Sequence, residues 1–80
     1  MSGVTKVVFR KFKDGGDVIA LFPDQEEYGG RVVCYQIIGQ HGSADYRGVM
    51  RSTRAAMRDE YLPLLRELTS LGYILKLKHR

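Results

Sequence analysis

The sequence predicts an α+β domain, an antiparallel sheet of three or four strands packed on one carboxy-terminal helix, in the order β-β-β-α-β. Three observations predict it. The amino-terminal half carries short runs rich in valine, isoleucine, phenylalanine and tyrosine, separated by glycine-containing turns, as strands joined by hairpins require. Beyond it, Tyr61, Leu64, Leu65, Leu68 and Leu71 recur at helical spacing and make one apolar stripe. The closing segment alternates apolar residues with lysines, which suits a strand with one wet side. A chain of 80 residues has room for one hydrophobic core, so residues 1–80 are read as a single domain.

The first strand is expected over Lys6 to Lys13, where β-branched and aromatic residues mix with long cationic ones. Asp14–Gly15–Gly16–Asp17 then supplies a tight hairpin, because adjacent glycines admit positive φ angles. Val18 to Phe22 is apolar throughout and reads as a central strand, stopped at Pro23, which lacks a ladder donor. An acidic loop, Pro23 to Gly30, leads to a third strand over Arg31 to Ile38, neither face of which is cleanly polar. Gly39 to Arg51 is rich in turn residues and is expected to be a long surface loop.

Ser52 and Thr53 are good helix caps, but Pro63 fits only near a helix start, so either the main helix begins close to Asp59 and Glu60 or two helical pieces meet at a kink near Leu62. The favoured reading is a main helix over Asp59 to Leu71. Gly72 ends it, and Tyr73 to Lys78 forms the last, edge-type strand with Lys76 and Lys78 toward water. The expected core is Val7, Phe9, Ile19, Leu21, Val33, Tyr35, Leu64, Leu65, Leu68, Leu71, Leu75 and Leu77.

Thirteen lysines and arginines against nine acidic residues leave a net charge of +4, which favours anionic partners. The positive charge gathers at Lys6 to Lys13, Arg47 to Arg58 and Lys76 to Arg80. Cys34 is the only cysteine, so no disulfide forms within the chain, and its apolar surroundings suggest a buried thiol. With no signal-like or membrane-length apolar run, the protein is expected to be cytoplasmic, with no membrane partner.

The glycine pairs lack the spacing of a phosphate loop, and Cys34, His41 and His79 lack paired metal-ligand spacing. No metal or cofactor is expected. His41, between glycines on a loop, is the one candidate for acid–base chemistry, with Asp45 and Tyr46 near enough in sequence to orient it. No nucleophile accompanies it at a telling spacing, so the stronger reading is noncatalytic.

A nucleic-acid surface is expected on a basic sheet face made of Arg10, Lys11, Lys13, Arg31, Lys76 and Lys78, with aromatic residues interleaved. The alternative is a protein-interaction or homodimeric module, because the Val32, Cys34 and Ile38 side of strand three, with Ile19 and Leu21, exceeds what one helix covers.

The segments FRKFKDGGDVIALFP, GQHGSADY, RDEY and ELTSLGY resemble those of a widespread group of small bacterial proteins that has no settled activity. The resemblance spans most of the chain and implies one bacterial domain; it brings no catalytic residue with it. Met57 and Arg58 stand where that group commonly has threonine and proline at the helix start.

Overall fold

The computed structural model describes residues 3–36 and 40–78. In chain order the elements are β1 (Val4–Phe12), β2 (Val18–Glu27), β3 (Arg31–Gln36), β4 (Gln40–Asp45), α1 (Tyr46–Ser52), β5 (Thr53–Ala55), α2 (Arg58–Ser70) and β6 (Ile74–Lys78). The class is α+β, but among the described residues six strands and two helices replace the expected three or four strands and one helix. The sheet runs β4-β3-β2-β1-β5, and β6 also pairs with β1. All pairings are antiparallel except β1 with β6, which is parallel.

The β1–β2 hairpin forms where expected. Gly15 and Gly16 take φ angles of +86° and +78°, and the Phe12 N–H donates to the Asp17 carbonyl at 2.8 Å. Pro23 does not end β2. The register moves from Phe22 opposite Val33 to Glu26 opposite Val32, so Pro23, Asp24 and Gln25 fall in a bulge where a missing N–H breaks no ladder bond. The expected acidic loop therefore shrinks to a turn at residues 28–30.

The largest correction is the middle of the chain. The expected loop begins with β4, which pairs with β3 from Gln36↔Gln40 to Arg31↔Asp45. Gly42 sits across from Cys34, and a Cβ there would meet the Cys34 sulfur at 3.4 Å, so a small residue suits the position. Ile37 and Ile38, the expected end of strand three, lie outside the described residues. Ser52 closes α1 and Thr53 opens β5, so neither caps the main helix.

The N-cap of α2 is Met57, whose backbone N–H is taken by the Glu60 carboxylate at 2.8 Å. This is the acidic half of a capping box and gives one orphan helix donor a charged acceptor. Pro63 lies inside the helix, on an exposed position. At the other end Gly72, at φ +104°, donates to Thr69 while Tyr73 donates to Leu68, the paired bonds of a Schellman stop.

Each sheet face carries a core cluster. Val7, Phe9, Ala20, Phe22 and Tyr35 form one core cluster with Leu64 and Leu68 of α2. Val8, Ile19, Leu21, Val32, Cys34 and Ala44 form the other, under Tyr46, Val49 and Met50 of α1. Ile19 and Leu21 thus belong to the opposite face from Val7 and Phe9, a split that follows from the two-residue period of a strand. Leu71 and Leu77 are not core: they are 54% and 38% exposed, at the end of the helix and on an outer strand. The apolar face expected to need a second protein is the face that α1 covers.

Candidate nucleic-acid interface and the His41 pocket

The six expected cationic residues do not share one surface. Lys76 and Lys78 are exposed on β6, and the parallel register sets Lys6 beside Lys76 and Val8 beside Lys78. Because Val8 belongs to the cluster under α1, strand alternation puts Lys6, Lys76 and Lys78 on that same side of the sheet. Exposed Ile74 and Val4, which pair with each other, share it. Lys6 contacts Asp24 at 3.4 Å, an ion pair with both side chains open to water. Arg47 and Arg51 are exposed on α1, the helix packed on this side.

Arg10 lies on the same side but is engaged by the fold. Its Nε donates to the Thr53 hydroxyl at 2.9 Å, and its terminal nitrogen donates to the Thr53 carbonyl at 2.8 Å and the Met50 carbonyl at 3.3 Å. The Thr53 hydroxyl, in a residue only 2% exposed, donates onward to the Val49 carbonyl at 2.6 Å. This network ties β1 to the end of α1, where carbonyls lack helical partners. Lys11 points to the opposite face, 3.4 Å from Glu60. Arg31 alternates with Val33 and Tyr35 on that opposite face and donates to the hydroxyl and carbonyl of Ser43. Lys13 is exposed in the β1–β2 turn.

Two cations, Lys11 and Arg54, converge on Glu60. Arg54 grips it with two nitrogens at 2.9 and 2.6 Å, and Lys11 adds a third cationic contact. The Arg54 hydrogen bonds, then the Met57 N–H, hold the Glu60 carboxyl at about 2, well below its ordinary 4.5. These groups join β1, β5 and the start of α2, a structural role that absorbs Lys11 and Arg54.

His41 is exposed on β4, opposite Tyr35, rather than on a loop. Its neighbours are not Asp45 and Tyr46. The His41 Nε2 shares a hydrogen bond of 2.7 Å with the Tyr73 hydroxyl, from 32 residues away, and the imidazole meets Tyr35 edge-on at a centroid distance of 4.7 Å. Tyr35 is itself fixed, its hydroxyl donating to Glu67 of α2 at 2.9 Å. Burial first, then that bond to a carboxylate, push the Tyr35 hydroxyl pKa up. Tyr73 stacks on Phe22, with centroids 5.4 Å apart and planes within 9°.

Beside this group lies an open pocket of about 430 Å³ lined by Gly3, Thr5, His41, Leu71, Gly72 and Tyr73. Sequence reasoning singled out His41 but not Tyr73, Thr5 or Glu67 as its company, since no spacing signals a contact across the chain. Cys34 projects to the α1 side, away from His41, and burial raises its thiol pKa, so these two ligand types do not converge. His79 lies outside the described residues, and among those described no group of three or more His, Cys, Asp or Glu is placed to hold a metal ion. Among the described residues no helix is long and apolar enough to cross a membrane. Comparison with protein-family models, curated proteins and solved structures finds no match for the chain.

Proposed function

We propose that the protein is a noncatalytic module that binds nucleic acid along its phosphate backbone through the sheet face bearing Lys6, Lys76 and Lys78. The observation that supports this reading is the parallel β1–β6 register, which sets Lys6 and Lys76 side by side and Lys78 one pleat further on. Adjacent strands stand about 4.8 Å apart and alternate residues about 6.6 Å apart, so three ammonium groups stem from a small area. Each is a flexible point charge suited to sequence-independent phosphate contact. Ile74 beside them gives sugars an apolar surface, and Arg47 and Arg51 extend the positive charge over α1.

Asp24 is the one carboxylate paired with this group among the described residues. An exposed pair of this kind is worth about 0–1 kcal/mol, so a phosphate displaces it at little cost. Of the residues expected from the sequence, Lys76 and Lys78 carry the proposal; Arg10, Lys11 and Arg31 act within the fold, and Lys13 lies apart.

Fluorescence anisotropy with labelled single- and double-stranded DNA and RNA, at low and moderate salt, tests the reading. Lys76→Gln with Lys78→Gln should weaken binding about tenfold or more at low salt, by loss of two phosphate contacts, without altering the melting temperature. Unchanged affinity in that variant, or no binding by the parent at low salt, refutes it. In that case the outer strand β6, with exposed Ile74 and Leu77, points instead to association with another protein or a second copy, read as a mass that rises with concentration.

A further inference from the structure

We propose that the pocket beside His41 and Tyr73 is a second site, one that receives a single nucleobase. It lies on the α2 side of the sheet, and its existence does not depend on the basic face.

Its volume, about 430 Å³, falls within the roughly 300–1,000 Å³ of small-ligand pockets. Its wall is aromatic and held from behind. Phe22 backs one face of the Tyr73 ring, and Tyr35 braces His41 by edge contact while Glu67 anchors Tyr35. The His41 and Tyr73 rings stand 6.0 Å apart at 36° and are joined by the 2.7 Å hydrogen bond, so both present fixed surfaces to an incoming plane. A wall ordered before binding spares the ligand the cost of ordering it.

Leu71 makes the same point from the apolar side. It is the C-cap of α2, the last of the helix's regularly spaced leucines, and more than half exposed, yet it lines this pocket. Its side chain supplies an apolar flank for a flat ring.

The polar groups define the rest of the ligand. Among the described residues the lining holds a hydroxyl on Thr5, a hydroxyl on Tyr73 and an imidazole, each able to donate or accept, and no carboxylate, ammonium or guanidinium. Such a lining selects a flat, uncharged heterocycle with donors and acceptors along one edge. A nucleobase has that chemistry, as a free nucleoside or as an unpaired base of a strand. Stacking on aromatic rings is the common means of holding such a base.

Titration of ¹⁵N- and ¹³C-labelled protein with adenosine, guanosine, cytidine and uridine, and in parallel with a short single-stranded oligonucleotide, tests the proposal by NMR. Saturable shifts at Thr5, His41, Leu71 and Tyr73 are expected with at least one nucleoside or with the oligonucleotide. His41→Ala, at an exposed position, should weaken that binding about tenfold while the variant still melts as the parent does, and Tyr73→Phe should weaken it while keeping the ring.

Shifts with nucleosides assign the site to free ligand. Shifts with the oligonucleotide alone assign it to an unpaired base in a strand. Nucleoside binding that survives Lys76→Gln with Lys78→Gln separates this site from the basic face, so either proposal can fail without the other. Absence of saturable shifts at the four residues with both probes, or unchanged binding in His41→Ala, overturns the assignment.

Discussion

Arg10 separates a structural cation from a binding one. Arg10→Ala removes three hydrogen bonds, two to backbone carbonyls and one to the buried Thr53 hydroxyl, and leaves the end of α1 without its cationic partner. Hydrogen bonds to a charged group contribute about 1.5–3 kcal/mol each, so the two short ones would sum to about 3–6 kcal/mol. The contact at 3.3 Å adds little, and because the group is only part-buried, water replaces much of each lost bond, so a net loss of about 2–3 kcal/mol is expected. A chain of 80 residues has roughly 4–12 kcal/mol in all. At about 4–8 °C per kcal/mol the melting temperature should fall by about 8–24 °C, measured by circular dichroism with urea unfolding as the check. Arg10→Lys should recover only part of the loss, because an ammonium does not reproduce the planar fork. Exposed Lys13→Ala is the control, expected within about 0.5 kcal/mol of the parent. If Arg10→Ala melts with the parent but loses nucleic-acid binding, the structural role argued for Arg10 is wrong.

The helix stripe and the Glu60 cluster give two further tests. Leu68→Ala, at a fully buried position, should cost about 2–5 kcal/mol, whereas Leu71→Ala, which is 54% exposed, should stay within about 0.5 kcal/mol; equal losses in chemical denaturation would mean that the helix face is misassigned. The folded-state pKa of Glu60 is depressed, so its stabilising contribution is fully present above the ordinary value of 4.5 and is lost as pH falls through about 2. Glu60→Gln should be less stable than the parent at neutral pH, and the gap between them should narrow steadily from about pH 5 toward pH 2. A gap that does not change with pH would remove the electrostatic account of this cluster.

The local features read from the sequence were those with a local cause. Adjacent glycines placed the first hairpin, and Pro63, the leucine spacing and Gly72 together placed α2 within one residue at each end, Asp59–Leu71 expected against Arg58–Ser70 found. The alternation in the last segment put Lys76 and Lys78 toward water, as observed. What was missed depends on distant pairing. Gln40–Asp45 carries little intrinsic strand preference and becomes β4 by pairing with β3, and α1 is too short for a helical period to show. The bulge at Pro23 let β2 continue where proline alone predicts a stop.

The candidate sites divide in the same way. Arg10 reads in sequence as one more cation on a wet strand, and only the return of α1 and β5 to β1 shows it engaged. Lys6 and Lys76 become neighbours because α2 carries the chain back so that β6 lies parallel to β1, an outcome no single strand encodes. Tyr73 reaches His41 by the same return.

The central claim is that Lys6, Lys76 and Lys78 contact phosphates together. It is tested most directly by the slope of log binding constant against log salt for the parent and for the variant Lys6→Gln, Lys76→Gln, Lys78→Gln, both with the same oligonucleotide. Each contact contributes about 0.7–0.9 to the slope, so the variant should be shallower by roughly 2–3 while unfolding as the parent does. Equal slopes and equal affinities would contradict the account.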